Sequence, residues 1–169
     1  MIELQTPRLY LREFLIQDAR FLFEMNNEPD VIRYTGDLPF ENEAAAVRLI
    51  ASYDQYAKYK MGRLTVIFKE TGETLGWCGL KYHPENDEVE LGYRFKEKYW
   101  GNGYATESAA ACLKYGFDEL HLPYIAAIAK PENTASINVM QKLGMHYWKE
   151  VIEHDGLCVA YRISNPFRV

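Results

Sequence analysis

With 169 residues, 48% hydrophobic and 14% aromatic, the chain is long enough to bury one sizeable core, and its length favours a single domain over residues 1–169. A formal net charge of -5 with no extended basic run excludes broad, sequence-independent nucleic-acid binding and mildly suits a cationic acceptor. Cys78, Cys112 and Cys158, odd in number and without C-x-x-C spacing, indicate neither a disulfide framework nor a zinc site, and read as small buried hydrophobes in a reduced compartment.

Glu3, Arg8, Arg12 and Glu13 interrupt the start of the chain, which rules out a signal-peptide apolar region there. No apolar run approaches the roughly 18 residues of a membrane span, so a soluble cytoplasmic protein is expected. Leu9 to Arg12 alternates as a half-buried strand does, and Asp18 stands where an N-cap belongs before Ala19, Phe21, Leu22 and Met25. Asn26 to Pro29 ends that helix, and Thr35 to Pro39 reads as loop. Glu41 to about Lys60 has helical composition, with Ala45, Leu49, Tyr53 and Tyr56 forming an apolar stripe at spacings of three and four.

Leu64 to Phe68 predicts a strand, Glu70-Thr71-Gly72-Glu73 a hairpin, and Leu75 to Tyr82 a second strand interrupted by Gly76 and Gly79. His83 to Asp87 is the next turn. Val89 to Phe95 alternates again, with Gly92 a mid-strand candidate for a bulge, so that three antiparallel strands lead into a glycine loop. A helix from Tyr104 to about Leu120 buries Ala105, Ala109, Cys112, Leu113, Phe117 and Leu120, and a strand follows over Tyr124 to Ala129. Asn133 is placed to cap a short helix carrying Ile137, Val139, Met140 and Leu143, and Gly144 suits its left-handed end. Tyr147 to Ile152 and Leu157 to Ile163 close the chain as a hairpin across Glu153-His154-Asp155-Gly156. Mostly antiparallel strands with a crossover helix make the class α+β.

The loop Lys98-Tyr99-Trp100-Gly101-Asn102-Gly103-Tyr104-Ala105-Thr106-Glu107 is the centre of this order. Its glycines permit positive φ and close approach of backbone amides to a ligand, and the helix that follows offers unpaired N–H groups to a phosphate. A tight turn without a ligand accounts for the same residues. A dinucleotide fingerprint would need a third glycine where Thr106 stands, and no Gly-Lys-Ser/Thr triplet follows as in a P-loop.

Three blocks resemble the GNAT superfamily of N-acetyltransferases, and within it the branch that includes the ribosomal-protein amino-terminal acetyltransferases. They are Thr6 to Arg12 with Asp18; Glu90-Leu91-Gly92-Tyr93 through Trp100 to Glu107; and Asn133-Thr134-Ala135-Ser136 through Lys142-Leu143-Gly144-Met145. The resemblance implies the GNAT fold: a mixed, mostly antiparallel sheet of about seven strands, splayed between the fourth and fifth, with about four helices. It implies acetyl-CoA as the acetyl donor, with pyrophosphate on the amides of the glycine loop and pantetheine between the splayed strands. The cofactor positions it carries over are Leu91, Tyr93, Lys98, Trp100, Gly101, Asn102, Gly103, Tyr104, Ala105 and Asn133. Lys98 departs from the family's usual Gln or Arg, a tolerable change if backbone amides do the binding.

An amine must be neutral to attack a thioester, and with free amine pKa values of roughly 8 to 10 a nearby base helps. The resemblance puts that base at Glu90, with Glu88 on the same face as runner-up; a solvated face or structural salt bridge is the competing role. Met140, seven residues after Asn133, stands where many superfamily members carry an acidic tyrosine, and a thioether donates no proton. The related branch assigns proton donation to a serine, here Ser136, which serves equally as a local helix cap. A backbone N–H near Gly92 is a candidate for the oxyanion, and no metal is expected.

The acceptor is a protein amino terminus or a small amine, with Tyr34, Trp77, Tyr82, Tyr147 and Trp148 as candidate pocket residues that serve equally as core. The assembly expected is a monomer or homodimer. A silent acyl-CoA-binding or sensing domain on the same fold is the alternative function, and a nucleotide-binding module a more distant one.

Overall fold

The computed structural model describes residues 1–153 and 155–166. Among these, eight strands form one sheet: β1 (Glu3–Gln5), β2 (Leu9–Glu13), β3 (Arg63–Phe68), β4 (Thr74–His83), β5 (Glu88–Phe95), β6 (Tyr124–Ala129), β7 (His146–Glu153) and β8 (Gly156–Ser164). Their order is β1-β2-β3-β4-β5-β6-β8-β7, antiparallel throughout except for the parallel pair β5/β6. The helices are α1 (Ala19–Asn26), α2 (Pro29–Ile32), α3 (Glu43–Ala51), α4 (Gln55–Tyr59), α5 (Tyr104–Asp118) and α6 (Thr134–Lys142). Among the described residues, no helix is long and apolar enough to cross a membrane.

The architecture is the expected one with one more strand, because β1 is three residues long and too short to show alternation. Two more helices arise from local chemistry. Pro29 occupies the first turn of α2, where its missing N–H costs nothing. The helix expected over 41–60 is broken. The Ser52 hydroxyl turns back to the carbonyls of Arg48 (2.9 Å) and Leu49 (3.2 Å), and the chain restarts as α4 after Asp54. The break lets the Tyr53 hydroxyl accept the Arg63 N–H at 2.8 Å and the Tyr56 hydroxyl donate to the Arg63 carbonyl. The buried face of α3 is Ala46 and Ile50, one residue along from the expected Ala45 and Leu49.

Strand alternation gives the sheet two unlike faces. Leu9, Leu11, Leu64, Val66, Cys78, Leu80 and Leu91 share the face covered by Ala109, Cys112, Leu113 and Phe117 of α5. Each such burial contributes about 1.5 to 3 kcal/mol for a large aliphatic side chain. The opposite face carries Arg12, Arg63, Thr65, Trp77, Lys81, His83, Glu88, Glu90 and Arg94, set side by side by the pairs Arg12↔Thr65, Thr65↔Trp77, Trp77↔Arg94 and Lys81↔Glu90. Helices α1 to α3 meet this face through a second cluster of Phe14, Ala19, Leu22, Met25, Val31, Ala46 and Ile50, against which Trp77 packs.

Asp18 joins the two layers instead of capping α1. Its buried carboxylate accepts hydrogen bonds from Arg12 Nη1 (2.7 Å) and Nη2 (2.9 Å), the Leu15 N–H (2.8 Å) and Thr65 Oγ1 (2.9 Å). Burial alone would raise its pKa; these contacts outweigh burial and hold it below the ordinary value.

Two further expectations are adjusted. No bulge interrupts β5 at Gly92, since its pairing with β4 runs unbroken through Gly79↔Gly92. The opening lies on the other edge of β5, where Glu90↔Ala126 is the sole pair joining it to β6 among the described residues. The closing hairpin is longer than expected, pairing as far as Glu153↔Gly156; of its turn, His154 lies outside the described residues.

Candidate active site

Beyond Glu90 and Ala126 the parallel strands separate, and both continue into loops that lead to helix starts: β5 to the glycine loop and α5, β6 to Asn133 and α6. A single cleft of about 1500 Å³ follows this gap from the glycine loop, past Glu90, Tyr93 and Ser136, to the space beneath α1–α3.

At the glycine loop, Gly101 and Gly103 have φ of +75° and +79°, the left-handed conformation the sequence called for, and no atom lies within 4 Å of where a Cβ on Gly101 would be. Gly103 immediately precedes α5, whose first-turn residues Tyr104, Ala105 and Thr106 border the cleft, and a first turn leaves its amides without partners inside the helix. Arg8, which sequence reasoning left without a role, holds this loop. Its guanidinium donates to the Asn102 carbonyl (3.0 Å) and to Glu107 Oε2 (2.6 Å), and it lies over the Tyr104 ring at 4.7 Å. Glu107 also accepts from Thr6 Oγ1 (2.6 Å) and the Arg8 N–H (3.0 Å). The opening block of the sequence is thus physically tied to the glycine-loop block.

Where the strands part, Asn133 Oδ1 accepts the Ser136 N–H at 3.2 Å, capping α6. The Tyr93 hydroxyl lies 3.0 Å from both the carbonyl oxygen and Oγ of Ser136, so one phenol is shared by the serine's backbone and side chain. Burial pushes the Tyr93 phenol well above its ordinary pKa, which leaves it a hydrogen-bond donor and not a free acid. Met140 borders the cleft with its side chain buried.

On the polar face, Glu90 Oε1 accepts from Arg63 Nη2 at 2.6 Å, and Oε2 lies 3.2 Å from His83 Nε2. Arg63 Nη1 also donates to the carbonyls of Gly79 (2.6 Å) and Glu90 (3.1 Å). Gly92 is glycine because this guanidinium lies on it: a Cβ there would sit 2.6 Å from Arg63 Cζ. Burial raises the pKa of Glu90, yet Arg63 and His83 overcome it and bring the carboxyl down to about 2. His83 moves the other way. The Glu90 carboxylate raises its pKa against the burial that lowers it, with Glu85 Oε1 at 3.1 Å from Nδ1 adding to the rise. Glu90 is therefore an ionised carboxylate, too weak a base by itself to take a proton from an ammonium group.

Of the sequence-assigned residues, Leu91, Tyr93, Trp100, Gly101, Gly103, Tyr104, Ala105, Asn133, Glu90 and Ser136 all border the cleft, Leu91 with its side chain committed to the core. Lys98 and Asn102 do not border it. The Lys98 ammonium lies over the Tyr99 ring at 4.6 Å, and the Asn102 amide donates to the carbonyls of Tyr99 and Trp100, bracing the loop from within. Glu88 borders the cleft but pairs with Lys149 at 3.2 Å.

Tyr34 and Trp77 are in the cleft, whereas Tyr82, Tyr147 and Trp148 lie outside it: Tyr82 donates to Asp87 at 2.8 Å, Tyr147 is 57% exposed, and Trp148 packs on Tyr124. Arg63, His83 and the Tyr93–Ser136 contact were missed, because each meets its partner through strand or helix packing that no local pattern records. Among the described residues, no group of three or more His, Cys, Asp or Glu side chains is arranged to hold a metal ion.

Comparison with known proteins agrees with this arrangement. The chain matches the model of the acetyltransferase (GNAT) domain over residues 8–146. It is 40% identical over 154 residues to the uncharacterized protein YkkB of Bacillus subtilis, covering 88% of each chain. It is 34% identical over 145 residues to the uncharacterized N-acetyltransferase p20 of Bacillus licheniformis, covering 85% of this chain and 82% of that one. Among solved structures, a GNAT-family acetyltransferase from Bacillus anthracis superposes with a TM-score of 0.82 at 29% identity, covering 97% of this chain and 99% of the other. With the match extending from Arg8 beyond α6, and the glycine loop and parted strands where such a domain needs them, the chain belongs to the GNAT acetyltransferase family.

Proposed function

We propose that the protein transfers the acetyl group of acetyl-CoA directly to a primary amine, both substrates being held at once in the cleft between β5 and β6. The observation that carries this reading is the meeting, in one cleft, of the positive-φ glycine loop, the parted strands and the ionised Glu90. The loop and the first turn of α5 present amides suited to the pyrophosphate, and the facing edges of β5 and β6 beyond Glu90↔Ala126 suit the pantetheine amides.

In the transfer, the bound ammonium first loses a proton to water. The neutral amine nitrogen then forms a bond to the thioester carbonyl carbon, the C–S bond breaks with its electron pair leaving on the CoA sulfur, and the second nitrogen proton is lost to solvent or passed to that sulfur, giving the amide and CoA. Glu90 serves as the counter-charge that draws in and orients the acceptor ammonium. His83, behind it, has its pKa raised by Glu90, and its change of charge sets when the excess proton can leave. Ser136, oriented by Tyr93, donates a hydrogen bond to the developing thiolate. An acceptor at a protein amino terminus and a small free amine both satisfy this chemistry.

Thiol release from acetyl-CoA in the presence of a panel of amines tests the proposal. Glu90→Gln should lower kcat/KM for the accepted amine by roughly 10²-fold, with acetyl-CoA affinity nearly unchanged. No thiol release above the uncatalysed rate with any amine, although acetyl-CoA binds, would instead identify a silent acyl-CoA-binding domain.

A further inference from the structure

The cleft continues past Glu90 into a part that acetyl-CoA chemistry does not require. There it is lined by Phe14, Leu22, Val31, Phe40, Tyr53 and Trp77, an apolar and aromatic wall beneath α1–α3. At its rim, Tyr34, Leu38 and Leu49 are 36%, 87% and 39% exposed, three large apolar side chains left to water on one cleft. A grouped apolar surface of this kind marks a binding site more often than an isolated exposed leucine does. The segment bearing Leu38 is held on the cleft, because its neighbour Asp37 accepts from Arg94 Nη2 at 2.7 Å.

Charge narrows the occupant. The carboxylates around the 34–38 segment and Glu90 are already in ion pairs: Asp30 with Arg33, Asp37 with Arg94, Glu85 with His83, Glu88 with Lys149, Glu90 with Arg63 and His83, and Asp155, which lies against Gly36, with Lys130. Glu97, whose N–H donates to Glu28 at the start of α2, and Glu153, at the end of β7, also border the cleft and form no salt bridge among the described residues. Lys81, paired across the strands with Glu90, adds a positive charge that forms no salt bridge among the described residues. A second ammonium held close to the first would meet Lys81, the cross-strand neighbour of Glu90.

We propose that the acceptor is an amine with a single positive charge attached to an aromatic or branched apolar group, its ammonium at Glu90 and its apolar group against Trp77 and the wall beneath α1–α3. This rests on the acetyl-transfer reading above and names the substrate class within it. The same chemistry is offered by a free arylalkyl amine and by a peptide with an apolar amino-terminal residue.

The test measures thiol release at saturating acetyl-CoA with 2-phenylethylamine, a short peptide beginning with Phe, ethanolamine and spermidine. The phenyl amine or the Phe peptide should exceed ethanolamine and spermidine in kcat/KM by about 100-fold, on the scale of a filled against an unfilled apolar pocket, and the better of the two identifies the source. Leu38→Asp, at a side chain too exposed to matter for folding, should raise KM for the preferred amine about 10-fold.

Equal efficiency across the four amines, preference for ethanolamine or spermidine, or an unchanged KM in Leu38→Asp would overturn the apolar-acceptor assignment while acetyl transfer stood. No release with any amine, although calorimetry shows acetyl-CoA bound, would overturn both.

Discussion

Glu90 shows what a single residue reveals in sequence and what it conceals. Alternation and family resemblance singled it out, but its chemistry depends on Arg63, 27 residues away, and on His83 across the strand pair. With its own pKa brought down to about 2, Glu90 stays charged through the working range, and His83 becomes the titrating partner. Because the His83 pKa is raised above 6.5, the imidazolium persists to higher pH than in a free histidine and neutralises part of Glu90's charge.

The amine kcat/KM should therefore rise as pH passes upward through a value above 6.5, and His83→Gln should remove this limb while leaving the limb of the amine itself. Two acceptors of different amine pKa separate the limbs, since only the amine's own limb moves between them. The linked effect on folding has the opposite sign: the His83–Glu90 attraction is fully present below the unfolded pKa and is lost as pH rises through the folded one. A pH profile unchanged in His83→Gln would assign the titration elsewhere.

The same scale holds the Tyr93–Ser136 contact. If the phenol orients the serine hydroxyl toward the thiolate, Ser136→Ala should lower kcat by roughly 10- to 150-fold, the worth of one hydrogen bond to a charged group, with little change in KM for the amine. Tyr93→Phe should lower kcat in the same way, and the double variant should lose no more than Ser136→Ala does alone. Losses that multiply would mean that the two hydroxyls act independently.

At the scale of elements, the glycine loop was legible because its signal is local. Two glycines between an alternating strand and an alanine-rich helix permitted positive φ, and both have it. The brace around the loop was not legible, since Thr6 and Arg8 reach Glu107 across about a hundred residues of sequence. Helices α3 and α4 failed in the opposite way: helical composition ran straight through 41–60, but tertiary anchoring of Tyr53 and Tyr56 to Arg63 overrode it.

Gly103→Val tests the loop. At φ +79° a β-branched residue is strained by about 1 to 2 kcal/mol, and its Cβ would approach Arg8 Nη2 at 3.4 Å. Calorimetry should show acetyl-CoA affinity reduced by about 10-fold or more, with the variant folded at a lower Tm. Unchanged affinity in the folded variant would remove the phosphate role from the loop.

At the scale of the molecule, the class and the succession of strands along the chain followed from periodicity because seven of the eight strands are long enough to show it, but periodicity leaves their order in the sheet open. The site lies where that order changes character, at the one parallel pair that the sheet has among the described residues. Such a pair needs a crossover, here α5, and the crossover brings the amides of its first turn to the gap. The polar face beneath α1–α3 has no counterpart in sequence pattern, because alternation distinguishes inside from outside but not one covered face from another.

The central claim is direct transfer within one complex of both substrates, and the cysteines support it. Cys78, Cys112 and Cys158 are all buried, Cys112 lies 3.8 Å from Cys78, and burial pushes up the thiol of Cys158, the one cysteine that borders the cleft. Cys158, held as a thiol by burial, is no activated thiolate able to carry the acetyl group, and Cys78 and Cys112 do not border the cleft. Initial rates measured with acetyl-CoA and the accepted amine varied against each other test this most directly. Double-reciprocal lines that intersect are the predicted result; parallel lines, the signature of an acetyl-enzyme formed before the amine binds, would contradict it.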